Sequence, residues 1–242
     1  MNGRGVRAVV VAACGLTLGG CALFPAPLLP TRPVDGTGFE QVAAATTLSV
    51  AKVGGTSCGT GAPIGSAFVA GDHLVLTAAH VVAGARTVDL RFPGREPVAA
   101  EVVVVDAGDD TAVLRVDGDL PPALALAVTP VAAGEPVVVV GYPLAEQEVR
   151  TTLSRVTALD ETVVLAGHKL GDVLALDAQV PTGTSGGPVV DAAGQVHGMV
   201  SAQVPGRGGR DSSPIVTLGI PASRLAQRLT ASANQPAPTP CT

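Results

Sequence analysis

Ser185, His80 and Asp110 are the residues of this 242-residue chain whose types and surroundings could carry a covalent reaction. Ser185 sits at the centre of Pro181-Thr182-Gly183-Thr184-Ser185-Gly186-Gly187-Pro188. Gly183 can take φ > 0 and approach other backbone closely, so the amide N–H groups of Gly183 and Ser185 can converge on one point beside the hydroxyl. A tetrahedral oxyanion would form at that point during attack on a carbonyl. A serine hydroxyl is a weak nucleophile at its free pKa and needs a base to take its proton as the C–O bond forms. His80 is the candidate base, because imidazole titrates near neutrality and can later return the proton to a leaving amine. It follows Leu74-Val75-Leu76-Thr77, at a strand end where a side chain can face a cleft. His73, His168 and His197 lack that setting and read as surface or loop histidines. A carboxylate must hold the imidazole tautomer and stabilise the imidazolium, and two neighbours, Asp109 and Asp110, compete for that place. Taken alone, the glycine-rich stretch also reads as a flexible turn; the histidine and aspartate upstream argue for a site.

Such a constellation needs a rigid frame, and the chain offers many short strands. Segments 47–53, 64–69, 73–77, 86–91, 97–105, 111–116, 136–141, 151–157, 162–166, 173–180, 188–191, 195–203 and 214–220 are rich in β-branched residues and are separated by Gly, Pro and Asp turn signals. No helical period interrupts them until 223–231, where Leu225 and Leu229 share a face after Pro221. This pattern predicts an all-β barrel or sandwich with one terminal helix. Aromatic residues make up only 2% of the chain, so the core must be built from Val, Leu, Ile and Ala. Pro121-Pro122 falls between the Asp110 segment and the second strand-rich half, which puts a crossing near 118–133. The sequence reads without an internal repeat, and no appended PDZ-like domain is expected from it.

The motifs themselves resemble those of the trypsin-like (chymotrypsin-fold) serine proteases over about residue 46 to the C-terminus. Gly183-Thr184-Ser185-Gly186-Gly187-Pro188 matches the family's nucleophile motif, Thr77-Ala78-Ala79-His80-Val81 its histidine motif and Asp110-Thr111-Ala112-Val113-Leu114 its aspartate motif. The order His, Asp, Ser and the spacings of 30 and 75 residues also fit. Within the family, the Cys58 region, the run Ala79-His80-Val81-Val82-Ala83-Gly84 and the terminal Cys241 look most like the membrane-tethered periplasmic, acid-resistance branch of mycobacteria. The resemblance implies two six-stranded Greek-key barrels, barrel 1 over about 46–120 and barrel 2 over about 133–222, with a C-terminal helix and tail over 223–242. It implies a serine endopeptidase with catalytic His80, Asp110 (not Asp109) and Ser185, backbone oxyanion donors Gly183 and Ser185, and no cofactor or metal. Ser201 matches the serine that hydrogen-bonds the triad aspartate, and Gln179, Ser201 and Gln203 line the substrate pocket. Two departures from the digestive enzymes are visible. Thr184 replaces an aspartate that pairs with a new N-terminus, so activation by N-terminal insertion is not expected. Gln179 stands where trypsin has an aspartate, so strong Arg/Lys preference is not expected; a polar-rimmed site for small or medium side chains is.

The chain's first twenty residues read as an address. Arg4 and Arg7 precede the apolar run Ala8 to Leu18, which is too short to span a bilayer and fits a signal peptide. Leu18-Gly19-Gly20-Cys21 resembles the lipobox of bacterial lipoproteins, implying cleavage before Cys21 and its acylation; several acyl chains give stable anchoring where one is marginal. The folded part would then be an extracytoplasmic domain of a lipid-anchored protein. Residues 21–45, with Pro25, Pro27, Pro30 and Pro33 followed by Asp35-Gly36-Thr37-Gly38, read as a tether, although Phe39 and Val42 could pack on the domain. On this reading Cys14 leaves with the signal peptide and Cys21 carries lipid, so Cys58 and Cys241 remain in a compartment where disulfides persist. Their bond would close a loop of about 180 residues, worth roughly 5 kcal/mol at most in the chain-entropy model.

Composition narrows the partners. Formal charge is −5, and losing residues 1–20 with their two arginines makes it −7; without a basic cluster this argues against nucleic acid. Polypeptide substrate and a membrane contact through Cys21 are the expected partners, and nothing indicates an oligomeric state. Two other functions fit some of the residues. Gly183-Thr184-Ser185-Gly186-Gly187 also satisfies the nucleophile elbow of an α/β-hydrolase esterase, which needs a helix after the serine and the order Ser, Asp, His. A catalytically silent binding domain on the protease fold would carry the same three residues.

Overall fold

Alternation of apolar and polar residues decides which face of a strand turns inward. In Ala85–Arg91, Val88 and Leu90 are buried while Thr87, Asp89 and Arg91 are exposed, the two-residue period of a strand with one wet face. Pro136–Gly141 carries four consecutive buried valines instead, as a strand covered on both sides does. The structure, a computed structural model, describes residues 38–165, 168–205 and 215–232.

Twelve strands form two closed antiparallel barrels. β1 (Val50–Ser57), β2 (Gly65–Gly71), β3 (Leu74–Thr77), β4 (Ala85–Arg91), β5 (Val98–Asp106) and β6 (Thr111–Arg115) close in the order β1-β2-β3-β6-β5-β4. β7 (Pro136–Gly141), β8 (Arg150–Leu165), β9 (His168–Leu176), β10 (Pro188–Val190), β11 (Val196–Pro205) and β12 (Ile215–Pro221) close in the order β10-β11-β12-β9-β8-β7. The fold is thus the expected all-β pair of six-stranded barrels with a short C-terminal helix, α3 (Ala222–Ser232), preceded by α1 (Glu40–Thr47) and the one-turn α2 (Ala79–Val82). The segments read as separate strands, 151–157 and 162–166, belong to one strand as far as residue 165, the last described residue of β8. Register shifts against β9 bend β8 without ending it.

Helix α1 begins inside the stretch read as tether and runs two residues beyond it. Phe39, Val42, Ala43 and Thr46 recur at i, i+3, i+4 and i+7, and they put Phe39 and Ala43 into the core with Val42 packed against it. Packed chain therefore begins upstream of residue 46, and the pattern was masked by small residues. The core itself is aliphatic: Leu76, Leu90, Leu114, Leu176, Ile220 and Leu225 are fully enclosed with many valines, and Phe68 and Phe92 supply the bulk.

The connection between barrels is strapped to both. Leu124 donates its N–H to Val69 O in the first barrel at 2.9 Å, and Ser49 Oγ donates to Pro122 O at 2.6 Å. Ala125 O and the Ala127 N–H both bond Val196 of β11 at 2.8 Å, making a parallel bridge at Leu126. These bonds fix the crossing segment against both barrels.

Candidate active site

Each of the three chemical residues lies in the short chain just outside a barrel strand. β3 finishes at Thr77, Ala78 stays extended (φ −74°, ψ 142°), and the chain then turns into α2, which presents His80. Asp110 directly precedes β6 with φ +46°, a left-handed conformation uncommon outside glycine. Ser185 lies in the tight loop before β10, and Ser201 lies on β11.

The Asp110 carboxylate, 6% exposed, gathers three donors. His80 Nδ1 is 3.0 Å from both oxygens, the His80 backbone N–H donates to Oδ1 at 3.1 Å, and the Ser201 hydroxyl donates to Oδ2. Burial pushes this carboxyl up. The His80 hydrogen bond and charge, the Ser201 hydroxyl and the His80 N–H outweigh burial and hold it below the ordinary carboxylate range. An ionised acceptor opposite Nδ1 keeps the proton there and leaves the lone pair on Nε2. The His80 side chain is half exposed, so Nε2 can meet a substrate.

Ser185 is held through its backbone. Its carbonyl accepts the Ser66 N–H at 2.8 Å, and its hydroxyl donates to Ser201 O at 3.2 Å, with no bond to the His80 ring. Gly186 N–H bonds Val200 O and Val200 N–H bonds Gly187 O, both at 2.8 Å, docking the loop on β11. The peptide carbonyls preceding the expected oxyanion donors are both anchored: Thr182 O accepts Leu144 N–H at 2.7 Å and Thr184 O accepts Gly187 N–H at 2.9 Å. In a trans peptide the N–H lies opposite its carbonyl, so the Gly183 and Ser185 N–H groups turn away from those anchors. Neither has a protein acceptor among the described residues.

Ser66, which the sequence reading did not single out, organises this loop. Fully buried at the start of β2, it donates its hydroxyl to Gly183 O at 2.9 Å and accepts Tyr142 N–H at 2.8 Å. Its own carbonyl accepts the Thr77 hydroxyl at 2.7 Å. One residue of the first barrel thus binds the two sides of the serine loop, and only contacts 117 residues apart in sequence reveal it. The loop leaves room for nothing else. A Cβ at Gly186 (φ +86°) would lie 2.0 Å from Ser66 O, and one at Gly183 (φ +99°) 2.5 Å from Leu144 N. Gly186→Ala should therefore cost more than about 3 kcal/mol, strain and clash combined, read as a lowered urea midpoint and loss of any serine reactivity. A midpoint within error of wild type would show that the loop is not packed this way.

The remaining residues singled out from sequence fall as follows. Asp109 turns away from His80, toward Arg224 and Arg228 of α3, so Asp110 is the carboxylate in contact. Gln203 is exposed and reaches across to Val180 O at 2.5 Å and Thr217 Oγ1 at 3.4 Å; Gln179, which precedes Val180 in sequence, is exposed. His73 is a turn residue with Nδ1 3.0 Å from Val116 O. His197 is not a surface histidine: it is 7% exposed in β11, with Nε2 2.9 Å from Asp191 Oδ2. The strand carries it inward, and the carboxylate makes that burial tolerable. Cys58 lies exposed in the turn after β1, its N–H on Gly84 O at 3.0 Å. Cys21, Cys241 and the expectations attached to them lie outside the described residues.

The family described as trypsin-like peptidase domain matches residues 65–199, more than half of the chain. The serine protease Rv3671c of Mycobacterium tuberculosis is 37% identical over 144 residues, 56% of this chain and 35% of that protein. The mitochondrial serine protease HTRA2 of Bos taurus is 35% identical over 170 residues, 68% of this chain and 35% of that protein. The chain thus matches about a third of the length of these curated relatives. The crystal structure of the Rv3671c protease in its active form superposes with a TM-score of 0.71 at 32% identity, covering 90% of this chain and 96% of that one. The HtrA-type protease AlgW with a tripeptide superposes with a TM-score of 0.67 at 25% identity, covering 80% and 62%.

Proposed function

The chain belongs to the trypsin-like peptidase family, and from that membership we propose that it is a serine endopeptidase acting through His80, Asp110 and Ser185. The observation that carries the proposal is the Asp110 carboxylate bonded to His80 Nδ1 beside the rigid Ser185 loop. A rotation of the Ser185 side chain moves its hydroxyl from Ser201 O to His80 Nε2. Attack on a peptide carbonyl then passes the hydroxyl proton to Nε2, and the ionised Asp110 stabilises the imidazolium. The developing oxyanion takes the N–H groups of Gly183 and Ser185. Collapse of the tetrahedral adduct breaks the C–N bond, the imidazolium protonates the leaving amine, and an acyl group stays on Ser185 Oγ. Water repeats the sequence and releases the acid. Gln179, Ser201 and Gln203 would border the pocket, with the Gln203 amide drawn across it toward Val180 O, favouring small or medium side chains.

The esterase reading loses its structural premise. Ser185 is followed by strand β10 in an antiparallel barrel, where a nucleophile elbow needs a helix on a parallel sheet. A silent binding domain is separated by reactivity: fluorophosphonate should label the folded wild-type protein at Ser185, and a peptide library should be cleaved. A folded protein that is neither labelled nor active would end the protease reading.

We further propose that Cys21 carries a lipid anchor and that Cys58 pairs with Cys241. Support comes from the Leu18-Gly19-Gly20-Cys21 pattern and from the count of cysteines that remains. Cys21→Ser should move the protein from the membrane fraction to the soluble one in its host; wild-type protein already soluble, with an unmodified N-terminus, overturns the anchor. Two titratable thiols in the domain purified without reductant would overturn the pairing.

A further inference from the structure

We propose that Arg224 and Arg228 of α3 are positioning residues for the reaction, gripping Asp109 so that the chain reverses at Asp110 and aims its carboxylate at His80. The inference rests on the catalytic reading above. Asp106, Asp109 and Asp110 place three carboxylates within five residues at the mouth of β6. Only one of them faces His80, and α3 holds the other two. Arg224 Nη1 lies 2.8 Å from Asp109 Oδ1, and Arg228 Nη2 lies 2.6 Å from Asp109 Oδ2 and 2.7 Å from Asp106 Oδ2. Arg224 Nη2 also reaches Asp172 Oδ2 at 3.0 Å.

The polar groups of Asp109 are all engaged. Asp109 N–H donates to Asp106 Oδ1 at 2.9 Å, Asp109 O accepts the Thr111 hydroxyl at 3.0 Å, and both Asp109 carboxylate oxygens are on arginines. Asp110 follows at φ +46°. A non-glycine residue persists in that region only when its surroundings over-determine it, and the Asp109 side chain, pulled to the far side, supplies the constraint. The Arg224, Arg228, Asp106 and Asp109 side chains are only 20–28% exposed, so solvent screens these pairs less than ordinary surface pairs. Leu225 is fully buried on α3, next to Arg224, and fixes the helix that carries both guanidinium groups. The grip also removes a rival: an unheld Asp109 would leave a second carboxylate free beside the one that must orient the imidazole.

The test uses the whole mature chain with Asp109→Asn, the double variant Arg224→Met/Arg228→Met and the double variant Arg224→Lys/Arg228→Lys. Asp109→Asn keeps shape and one acceptor, so it remains informative if the methionine variant fails to fold. In folded Asp109→Asn and Met/Met proteins, kcat should fall about 10- to 100-fold, the scale of a misplaced catalytic group, with KM changed less than twofold. The low-field proton resonance of His80 Nδ1 should shift or broaden in the same variants. Lys/Lys should recover part of both signals. Loss of thermal stability with wild-type kcat and an unchanged His80 resonance would make the arginines structural only and overturn the proposal. Failure of the catalytic reading looks different: wild type itself would be unlabelled by fluorophosphonate, while the His80 resonance still reports whether the grip sets the imidazole.

Discussion

Replacing Ser185 with alanine should lower peptide-bond turnover by roughly a million-fold, and His80→Ala should do nearly the same. The fold should persist in both. The Ser185 loop is held by its carbonyl on Ser66 N–H and by Gly186 and Gly187 on Val200, while the hydroxyl makes one bond of 3.2 Å whose loss is worth about 1 kcal/mol. His80 is half exposed, and its truncation to alanine leaves the Asp110 carboxylate two donors, the Ser201 hydroxyl and the backbone N–H of residue 80. In the proposed mechanism nucleophile and base perform one proton transfer together, so the double variant should lose little more than either single one. Steady-state cleavage of a fluorogenic peptide decides this. A double variant whose loss is the product of the two single losses would argue for independent roles, and unchanged turnover in Ser185→Ala would remove the covalent mechanism altogether.

Asp110→Asn should cost about ten-thousand-fold in kcat near neutral pH with nearly unchanged geometry. Three donors converge on the Asp110 carboxylate. An amide offers one carbonyl oxygen and an NH2 that must face a donor. Turned toward His80, that NH2 stabilises the tautomer with the proton on Nε2, which then cannot accept the serine proton. The same substitution changes acid stability. In the folded wild type the Asp110 carboxyl lies below its ordinary value of about 3.9. Its ionised form therefore contributes stability that is present above the unfolded value and is lost as pH falls through the folded one. Urea midpoints measured from neutral pH downward should show this decline in wild type and a shallower one in Asp110→Asn. Parallel curves would mean that the pairing with His80 does not stabilise the ionised carboxyl.

Local chemistry was legible in the chain before folding was considered. Strand positions follow from a two-residue period that each segment carries by itself, as in Ala85–Arg91, where Val88 and Leu90 turn inward. A serine ringed by glycines, and a histidine closing an apolar strand, announce themselves because steric freedom and titration range are properties of residue types. The two-barrel architecture came from matched motifs, since periodicity alone leaves barrel and sandwich equivalent. α1 was legible in principle, through Phe39, Val42, Ala43 and Thr46, but a proline-rich approach and small side chains concealed its apolar face.

Tertiary structure decided what depends on partners distant in sequence. Periodicity could not choose between Asp109 and Asp110, adjacent carboxylates in an identical local setting; arginines 115 and 119 residues later pull the first one away. Ser66 looks like an ordinary small residue in Gly65-Ser66-Ala67-Phe68 until the second barrel brings Gly183 and Tyr142 to its hydroxyl. His197 reads as a surface or loop histidine until β11 turns it inward and Asp191 meets its ring. The division has a physical cause. Backbone periodicity and side-chain reactivity are fixed within a few residues, whereas the direction of a buried polar group is set by whichever donor or acceptor the fold delivers to it.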